Sequence, residues 1–196
     1  MNNYEYIIAS LPVISSDFRA ELDYEGILEQ IREQLSEKDL KFFSLLLDGF
    51  NPDKLNEDFY KQVLKCPNAF IKGYFLYDLN VRNVRVRFIN QNLGRPSEED
   101  VLNILPENYE FEDEEKVRDI LNNSDILGRE RALDDLMWAK AEELCGLQVF
   151  SADCIYAFIA KLQIVARWLK LDPQTGRQLF KQLVEEIRNN KKNIIE

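Results

Sequence analysis

The stretch YDLNVRNVRVRFINQNLGR, residues 77–95, decides the fold of the middle of the chain. Apolar residues in and before it recur at spacings of four, three, four, three and four, at Phe70, Tyr74, Tyr77, Val81, Val84 and Phe88. That spacing predicts a helix with one face turned to the core. Residues 84–88 also alternate with period two, as a strand does, but over five residues only. We therefore predict one long helix that Gly94 ends.

Helical periodicity also dominates the rest of the chain. It predicts helices over residues 24–35, 36–49, 129–144 and 151–170, a short helix after Asn51 and Pro52 that carries Phe59, Val63 and Leu64, and a last helix after Asp172 and Pro173. Ser36 with Asp39 forms a capping box, and Asn51 before Pro52 is a second helix-start signal. The opening residues YEYIIASLPVI suit either a strand or a short helix closed by Pro12, and both alternatives stay open.

These elements predict an all-α fold, a helical bundle of about seven to nine helices in a single domain over residues 1–196. The bundle has two sub-blocks, residues 1–95 and 113–196, which are candidates for degenerate helical repeats. The acidic segment 96–112 joins them.

Composition argues against several kinds of chemistry. The chain has no histidine, which removes Ser-His-Asp and Cys-His arrangements and every histidine metal site. It has no glycine-rich phosphate loop and no CxxC motif. Its net charge of −10 disfavours nucleic-acid binding. We therefore expect no catalytic residues, no cofactor and no metal, and no nucleic-acid partner.

The cysteine pattern predicts free thiols, and the hydropathy predicts that no segment spans a membrane. Cys66, Cys145 and Cys154 are odd in number and show no paired spacing, which favours reduced, buried thiols in a cytosolic setting. No segment reaches the ~20 consecutive apolar residues of a spanning helix, and the amino terminus lacks the pattern of a signal peptide.

Charge is distributed unevenly along the chain. Residues 97–115 hold nine acidic side chains and no basic one, whereas residues 161–192 hold eight basic side chains against three acidic ones. Such polarity suits a protein that docks between partners of different charge. Solvated helix faces with no partner are the alternative.

The four arginines of residues 77–95 have three interpretations. Asp78 precedes Arg82 by four positions, the favourable order for an ion pair on a helix, and Arg87 lies near the apolar stripe, along which its stem can pack. Ion pairs with the acidic segments are favoured first and a protein–protein interface second. A phosphate or nucleic-acid site comes last, because no glycine-rich cradle or aromatic platform accompanies the cluster.

Three segments carry a resemblance to a known family. VRNVRV at residues 81–86, after Asp78, resembles a helix of the C-type subunits of bacterial and archaeal V/A-type rotary ATPases and of their eukaryotic d-type relatives. The positions that match are Asp78, Val81, Arg82, Asn83, Val84 and Arg85. FSADCIYAFIAKLQIVARWLKLDPQTGRQLF at residues 150–180 and YEYIIASLP at residues 4–12 look like a divergent, uncharacterised family of C-type subunits encoded beside V-type ATPase subunits.

The resemblance implies an all-helical adaptor that is not an enzyme. A C-type subunit sits on the membrane rotor ring and forms a socket for the central stalk, so it couples the two during proton or sodium translocation. Typical members have three helical repeats and are longer, so a smaller or differently closed socket is expected here. The implied location is cytoplasmic and peripheral to the inner membrane.

The partners implied are the central-stalk and membrane-ring subunits, with no direct membrane span. The partner-binding residues predicted from the arginine-rich helix are Asp78, Arg82, Asn83, Arg85, Arg87 and Arg95. A helical scaffold or regulator unrelated to the ATPase is the alternative. A carboxylate-based, metal-dependent enzyme is the least favoured interpretation.

Overall fold

The computed structural model describes residues 4–17, 21–105 and 110–171. These residues form eight α-helices and no strand, which confirms the predicted all-α bundle. The helices are α1 Glu5–Ser10, α2 Tyr24–Gln34, α3 Glu37–Gly49, α4 Glu57–Leu64, α5 Ala69–Leu93, α6 Glu114–Leu121, α7 Ile126–Cys145 and α8 Ala152–Leu169. The helix predicted after Asp172 and Pro173 lies outside the described residues.

Helix α5 is the long helix predicted from the arginine-rich stretch, and the competing strand interpretation is wrong. Its first turn is capped by Asn68, whose side-chain oxygen accepts a hydrogen bond from the backbone nitrogen of Ile71 at 2.8 Å. Its end falls at Gly94, which adopts a left-handed conformation with φ of 67° that a residue without Cβ enters freely. Both ends therefore follow from local sequence signals.

The main core forms around α5, which packs against α3, α4, α6, α7 and α8. Aromatic rings from α4 and α5 meet edge to face, with the Phe59 and Phe75 centroids 5.0 Å apart. Gly49 ends α3 against these rings, and a Cβ there would lie only 2.2 Å from Phe75. Each large apolar side chain that is fully buried contributes ~1.5–3 kcal/mol relative to exposure.

Helices α4 and α6 differ from prediction. Helix α4 begins at Glu57 with Asn56 as its cap, five residues after the Asn51–Pro52 signal. The Asn51 side chain instead accepts a hydrogen bond from the backbone nitrogen of Asp53 at 3.0 Å, which makes a local turn. Helix α6 was not predicted, because its eight residues begin within the acidic run and offer only two buried positions, Val117 and Leu121.

The opening residues, for which two alternatives were open, form the short helix α1. Ser36 caps α3 as predicted, since its hydroxyl accepts from the backbone nitrogen of Asp39 at 3.2 Å. The second bond of a capping box is replaced, because the backbone nitrogen of Ser36 donates to the Tyr4 hydroxyl at 3.2 Å. The Tyr4 hydroxyl donates to the Asp39 carboxylate at 2.5 Å. The amino-terminal residues are thereby joined to the start of α3.

The expectation of three reduced cysteines is wrong for two of them. Cys145, the last residue of α7, and Cys154, in the first turn of α8, form a disulfide. The short connection between the two helices folds back on itself, and this brings together residues whose sequence spacing is not that of a recognised motif. Cys66 is free and buried, as expected for a small apolar side chain.

Candidate binding site on the central helix

Helix α5 carries two polar faces. Asp78, Arg82 and Arg85 follow one another at helical spacings, and Asn83, Arg87 and Asn90 do the same. At 3.6 residues per turn the two sets lie about 140° apart around the helix. The first set is called the cavity face below, and the second the strap face.

On the cavity face, Asp78 is shared between two donors. Its Oδ2 accepts from Arg82 Nε at 2.7 Å, which confirms the predicted pair along the helix, and from the Tyr60 hydroxyl on α4 at 2.8 Å. Arg85 reaches across to α7, where its Nη2 lies 2.9 Å from Glu130 Oε1. These bonds connect α4, α5 and α7.

A third carboxylate belongs to the same region. Asp134 on α7 accepts hydrogen bonds from two residues of α8, the Arg167 guanidinium and the indole nitrogen of Trp168, the latter at 2.6 Å. Tyr24 at the start of α2 is hydrogen-bonded to Gln163 on α8. Side chains from both halves of the described chain therefore meet here.

The three arginine–carboxylate pairs line one cavity of about 550 Å³, called the central cavity below. One wall is apolar and comes mainly from α5 and its neighbours, and includes Phe50, Tyr74, Phe75, Leu133, Met137 and Ile164. Lys170 adds a fourth cationic side chain to the lining. The volume lies within the usual range for small-molecule clefts, roughly 300–1,000 Å³.

Burial shifts the protonation of several groups beside the central cavity. Desolvation raises the pKa of the Tyr74 hydroxyl, and the negative charges of Asp78 and Asp134 raise it further. Desolvation also raises the pKa of the Asp134 carboxyl, against the opposing effect of Arg167. The two tyrosines Tyr60 and Tyr74 therefore stay neutral at physiological pH, since burial and nearby Asp78 both disfavour the phenolate.

On the strap face, α5 holds part of the acidic segment in an ordered path. Asn83 binds Leu102 in both directions, donating to its carbonyl at 3.1 Å and accepting from its nitrogen at 3.2 Å. Asn90 donates to the carbonyls of Ser97 and Glu99, at 3.3 and 2.7 Å. Residues 97–102, called the strap below, are therefore fixed to α5 through their backbone.

Arg87 completes the strap face with a two-point ion pair. Its Nε and Nη2 donate to the two carboxylate oxygens of Glu98, at 2.8 and 3.1 Å. This hydrogen bonding lowers the pKa of the Glu98 carboxyl. Only 25% of the Arg87 side chain is exposed, in keeping with the expectation that its stem packs along the helix.

The structure thus separates the residues predicted as one surface. Asp78, Arg82 and Arg85 converge at the central cavity, whereas Asn83 and Arg87 lie on the strap face. Arg95 is exposed beyond the end of α5 and makes no ion pair with any residue in the described part of the chain. Three of the four arginines form ion pairs, but only Arg87 pairs with the acidic segment as predicted; Arg82 pairs within α5 and Arg85 with Glu130 on α7. Partner binding by these residues stays a prediction.

Sequence reasoning missed the partners supplied by distant helices. Glu130 lies 45 residues beyond Arg85 in the sequence. Asp134 and Arg167 meet only when α7 and α8 pack together. Asn90 had a signal, because it follows Asn83 by seven positions, two helical turns, with Arg87 between them. Three amide or guanidinium groups at that spacing indicate a polar helix face.

The arrangement favours recognition of a charged group over metal binding. Asp78, Glu130 and Asp134 all border the central cavity, but each carboxylate is paired with an arginine. The arginine neutralises the negative charge that would otherwise attract a metal cation. Within residues 4–17, 21–105 and 110–171, no group of three or more acidic, cysteine or histidine side chains could hold a metal ion.

No helix in those ranges is long and apolar enough to cross a bilayer.

Fold and site together define an all-helical protein built around one long polar-faced helix with a charged cavity beside it. Residues 50–191, most of the chain, match the model of a family described as a protein of unknown function, DUF2764, and the chain belongs to that family. No curated protein and no solved structure matches the chain.

Proposed function

We propose that this protein is a non-catalytic adaptor subunit of a V/A-type rotary ATPase that couples the central stalk to the membrane rotor ring. One observation carries the proposal. Asp78, Asn83 and Arg85, three of the residues that carry the resemblance to the C-type subunits, bond α5 to α4, the strap and α7, and Arg82 holds Asp78 in place within α5. An adaptor that passes torque needs a central element joined to its neighbours in this way, because close-packed interiors transmit strain.

The charge distribution supports the same proposal. A chain of net charge −10 has an acidic segment at residues 97–115 and a basic stretch at residues 161–192. Segments of opposite charge favour docking in one orientation. They steer the approach of the partner and fix its register more than they raise its affinity. The partners proposed are the central-stalk and membrane-ring subunits of a complex that translocates protons or sodium ions.

The proposed location is cytoplasmic, peripheral to the inner membrane through the complex. Disulfides are rare in that compartment, so the disulfide between Cys145 and Cys154 is an observation against this location. Alkylation of cell lysates followed by mass measurement counts the free thiols. Three modified cysteines agree with a cytoplasmic location, and one modified cysteine, Cys66, contradicts it.

The central cavity favours a second candidate, a helical scaffold or regulatory protein unrelated to the ATPase. A torque-transmitting body has no need of a charged cavity of about 550 Å³ beside its main helix, whereas a ligand-controlled regulator does. A carboxylate-based, metal-dependent enzyme is less favoured, because the three carboxylates at the cavity are neutralised by arginines.

Purification of the tagged full chain from native membranes, in mild detergent at low salt, tests the adaptor proposal. We expect rotary ATPase subunits to co-purify in stoichiometric amounts. Recovery of the chain alone, or with unrelated proteins, supports the scaffold candidate instead.

A double variant then tests the cavity face within the complex. We expect Arg82→Ala with Arg85→Ala to weaken assembly or coupling. The matched control is Arg32→Ala with Arg118→Ala, which removes two arginines whose ion pairs are made within α2 and within α6. Normal assembly and coupling of the first double variant contradicts a role for Arg82 and Arg85.

A further inference from the structure

The central cavity presents cationic groups although the protein is acidic. Two of its three ion pairs have the carboxylate turned inward and the arginine turned outward. The Asp78 and Asp134 side chains are 16% and 12% exposed, whereas their partners Arg82 and Arg167 are 51% and 50% exposed. A molecule that enters the central cavity therefore meets guanidinium groups before it meets these two carboxylates.

Hydrogen-bond donors remain available on the cavity arginines. A guanidinium has five N–H donors in a planar fork. Arg82, Arg85 and Arg167 each donate one hydrogen bond to another residue within the described ranges. Arg87, on the strap face of α5, uses two donors on a single carboxylate. The cavity arginines are therefore held in place by one bond each and can offer the rest of the fork to a ligand.

The wall behind these donors is apolar and aromatic. Phe50 and Tyr74 meet edge to face with centroids 6.0 Å apart, and Phe75 lies beside both rings. Met137 and Ile164 continue the wall from α7 and α8. A cleft with an apolar wall and a few convergent polar groups is the usual form of a small-molecule site.

We propose that the central cavity binds a small organic anion, a carboxylate or phosphate joined to an apolar or aromatic body. Arg85 and Arg167 would hold the anionic group with charge-assisted, two-point hydrogen bonds, as guanidinium forks bind carboxylates and phosphates. The aromatic wall would cover the body of the ligand. This inference stands on the cavity alone and does not depend on the adaptor proposal.

The test measures binding of three probes of similar size to the full chain by calorimetry at low salt. Phenyl phosphate and benzoate carry the two anionic groups, and benzyl alcohol is the neutral control. We expect at least one of the anions to bind about tenfold or more tightly than benzyl alcohol, the contribution of one or two charge-assisted hydrogen bonds. The tighter of the two anions identifies the class of ligand. Equal affinity for all three probes, or no binding, overturns the proposal.

Three single variants test whether the anionic probe binds in the central cavity. We expect Arg85→Gln to weaken binding of the anion about tenfold, since Glu130 is 35% exposed and tolerates the loss of its partner. Arg167→Lys keeps a positive charge beside Asp134, which protects the fold, but removes the fork, and it should weaken binding several-fold. Arg32→Gln removes an exposed arginine of α2 away from the cavity and should leave binding unchanged.

Two patterns among the variants contradict the proposal. Unchanged anion binding in both Arg85→Gln and Arg167→Lys places the ligand elsewhere. An equal loss in Arg32→Gln attributes binding to general charge and not to the cavity. Thermal unfolding of each variant, recorded without probe, identifies a loss that comes from a damaged fold, and rescue by Arg85→Lys separates loss of charge from loss of the fork.

Discussion

The two polar faces of α5 use the same kinds of residue to opposite effect. On the strap face, Arg87 is bonded at two points to Glu98, and Asn83 is bonded in both directions to the backbone of Leu102. On the cavity face, Arg82 and Arg85 each make one bond to a carboxylate, and their side chains are 51% and 40% exposed. Two-point hydrogen bonding fixes a segment of chain, whereas one-point hydrogen bonding leaves more donors for another molecule. The comparison suggests that the strap face is structural and the cavity face is for recognition.

The largest expected effect is on the strap face. Asn83→Ala removes both hydrogen bonds to Leu102 and leaves its backbone nitrogen and carbonyl without a protein partner. We expect the free energy of unfolding to fall by about 2 kcal/mol, measured by urea denaturation. The control is Asn92→Ala on the same helix, where the side chain is exposed. Equal stability of the two variants would show that the strap is not held by Asn83.

A smaller effect is expected on the cavity face. Tyr60→Phe removes the hydroxyl that donates to Asp78, but Asp78 keeps its bond to Arg82. We expect a loss of about 1 kcal/mol in the free energy of unfolding, typical of a single neutral donor to a carboxylate that retains another partner. Tyr6→Phe, at a side chain that is 78% exposed, is the control and should change nothing. A loss for Tyr60→Phe no greater than for this control would rule out a stabilising bond.

Substitutions of Arg87 on the strap face and Arg85 on the cavity face should differ less in their effect on protein stability than in their effect on ligand binding. Arg87→Gln breaks a two-point pair and Arg85→Gln breaks a one-point pair, and Glu98 is largely exposed. We expect Arg87→Gln to lower the free energy of unfolding by up to about 1 kcal/mol and Arg85→Gln by less. Denaturation at low and high salt should show the difference disappear as salt screens both pairs. A larger loss for Arg85→Gln would reverse the assignment of the faces.

The smallest effects concern the pKa values of two arginine-paired carboxyls, which shift in opposite directions. The hydrogen bond from Arg87 lowers the pKa of Glu98 from 4.5, so its contribution to stability is present above that pH and is lost as the pH falls through the folded value. Burial raises the pKa of Asp134 from 3.8, so stability falls as the pH rises from 3.8 through the folded value. Carboxyl carbon NMR titration, assigned with Glu98→Gln and Asp134→Asn, measures both. Shifts of the same sign would contradict the difference in burial between Glu98 and Asp134.

Much of the fold follows from local sequence. The spacing from Phe70 to Phe88 predicts α5, and Gly94 ends it, because periodicity and capping are properties of neighbouring residues. Helix α6 escaped prediction because a short helix with a mostly charged composition has little periodic signal. Asn51 was misassigned because asparagine serves turns as well as helix caps, and only the packing of the chain selects between them.

The candidate site was less predictable than the fold. The pair of Asp78 with Arg82 is local and follows from their spacing. Arg85 with Glu130 and Arg167 with Asp134 depend on how α7 packs between α5 and α8, which no local pattern encodes. The disulfide between Cys145 and Cys154 was missed for a local reason, since the turn between α7 and α8 sets their distance and their separation of nine residues matches no recognised motif. Long-range pairing therefore decides the chemistry of the central cavity.

The most direct test of this comparison is to follow the guanidinium NMR signals of the isotope-labelled full chain while phenyl phosphate is added. Single Arg→Lys variants assign the signals. If the cavity face is open and Arg87 is held on the strap face by its two-point pair, the signals of Arg82, Arg85 and Arg167 shift and that of Arg87 stays fixed. Equal movement of the Arg87 signal, or no movement of the three cavity arginines, would contradict a division of α5 into a structural face and a recognition face.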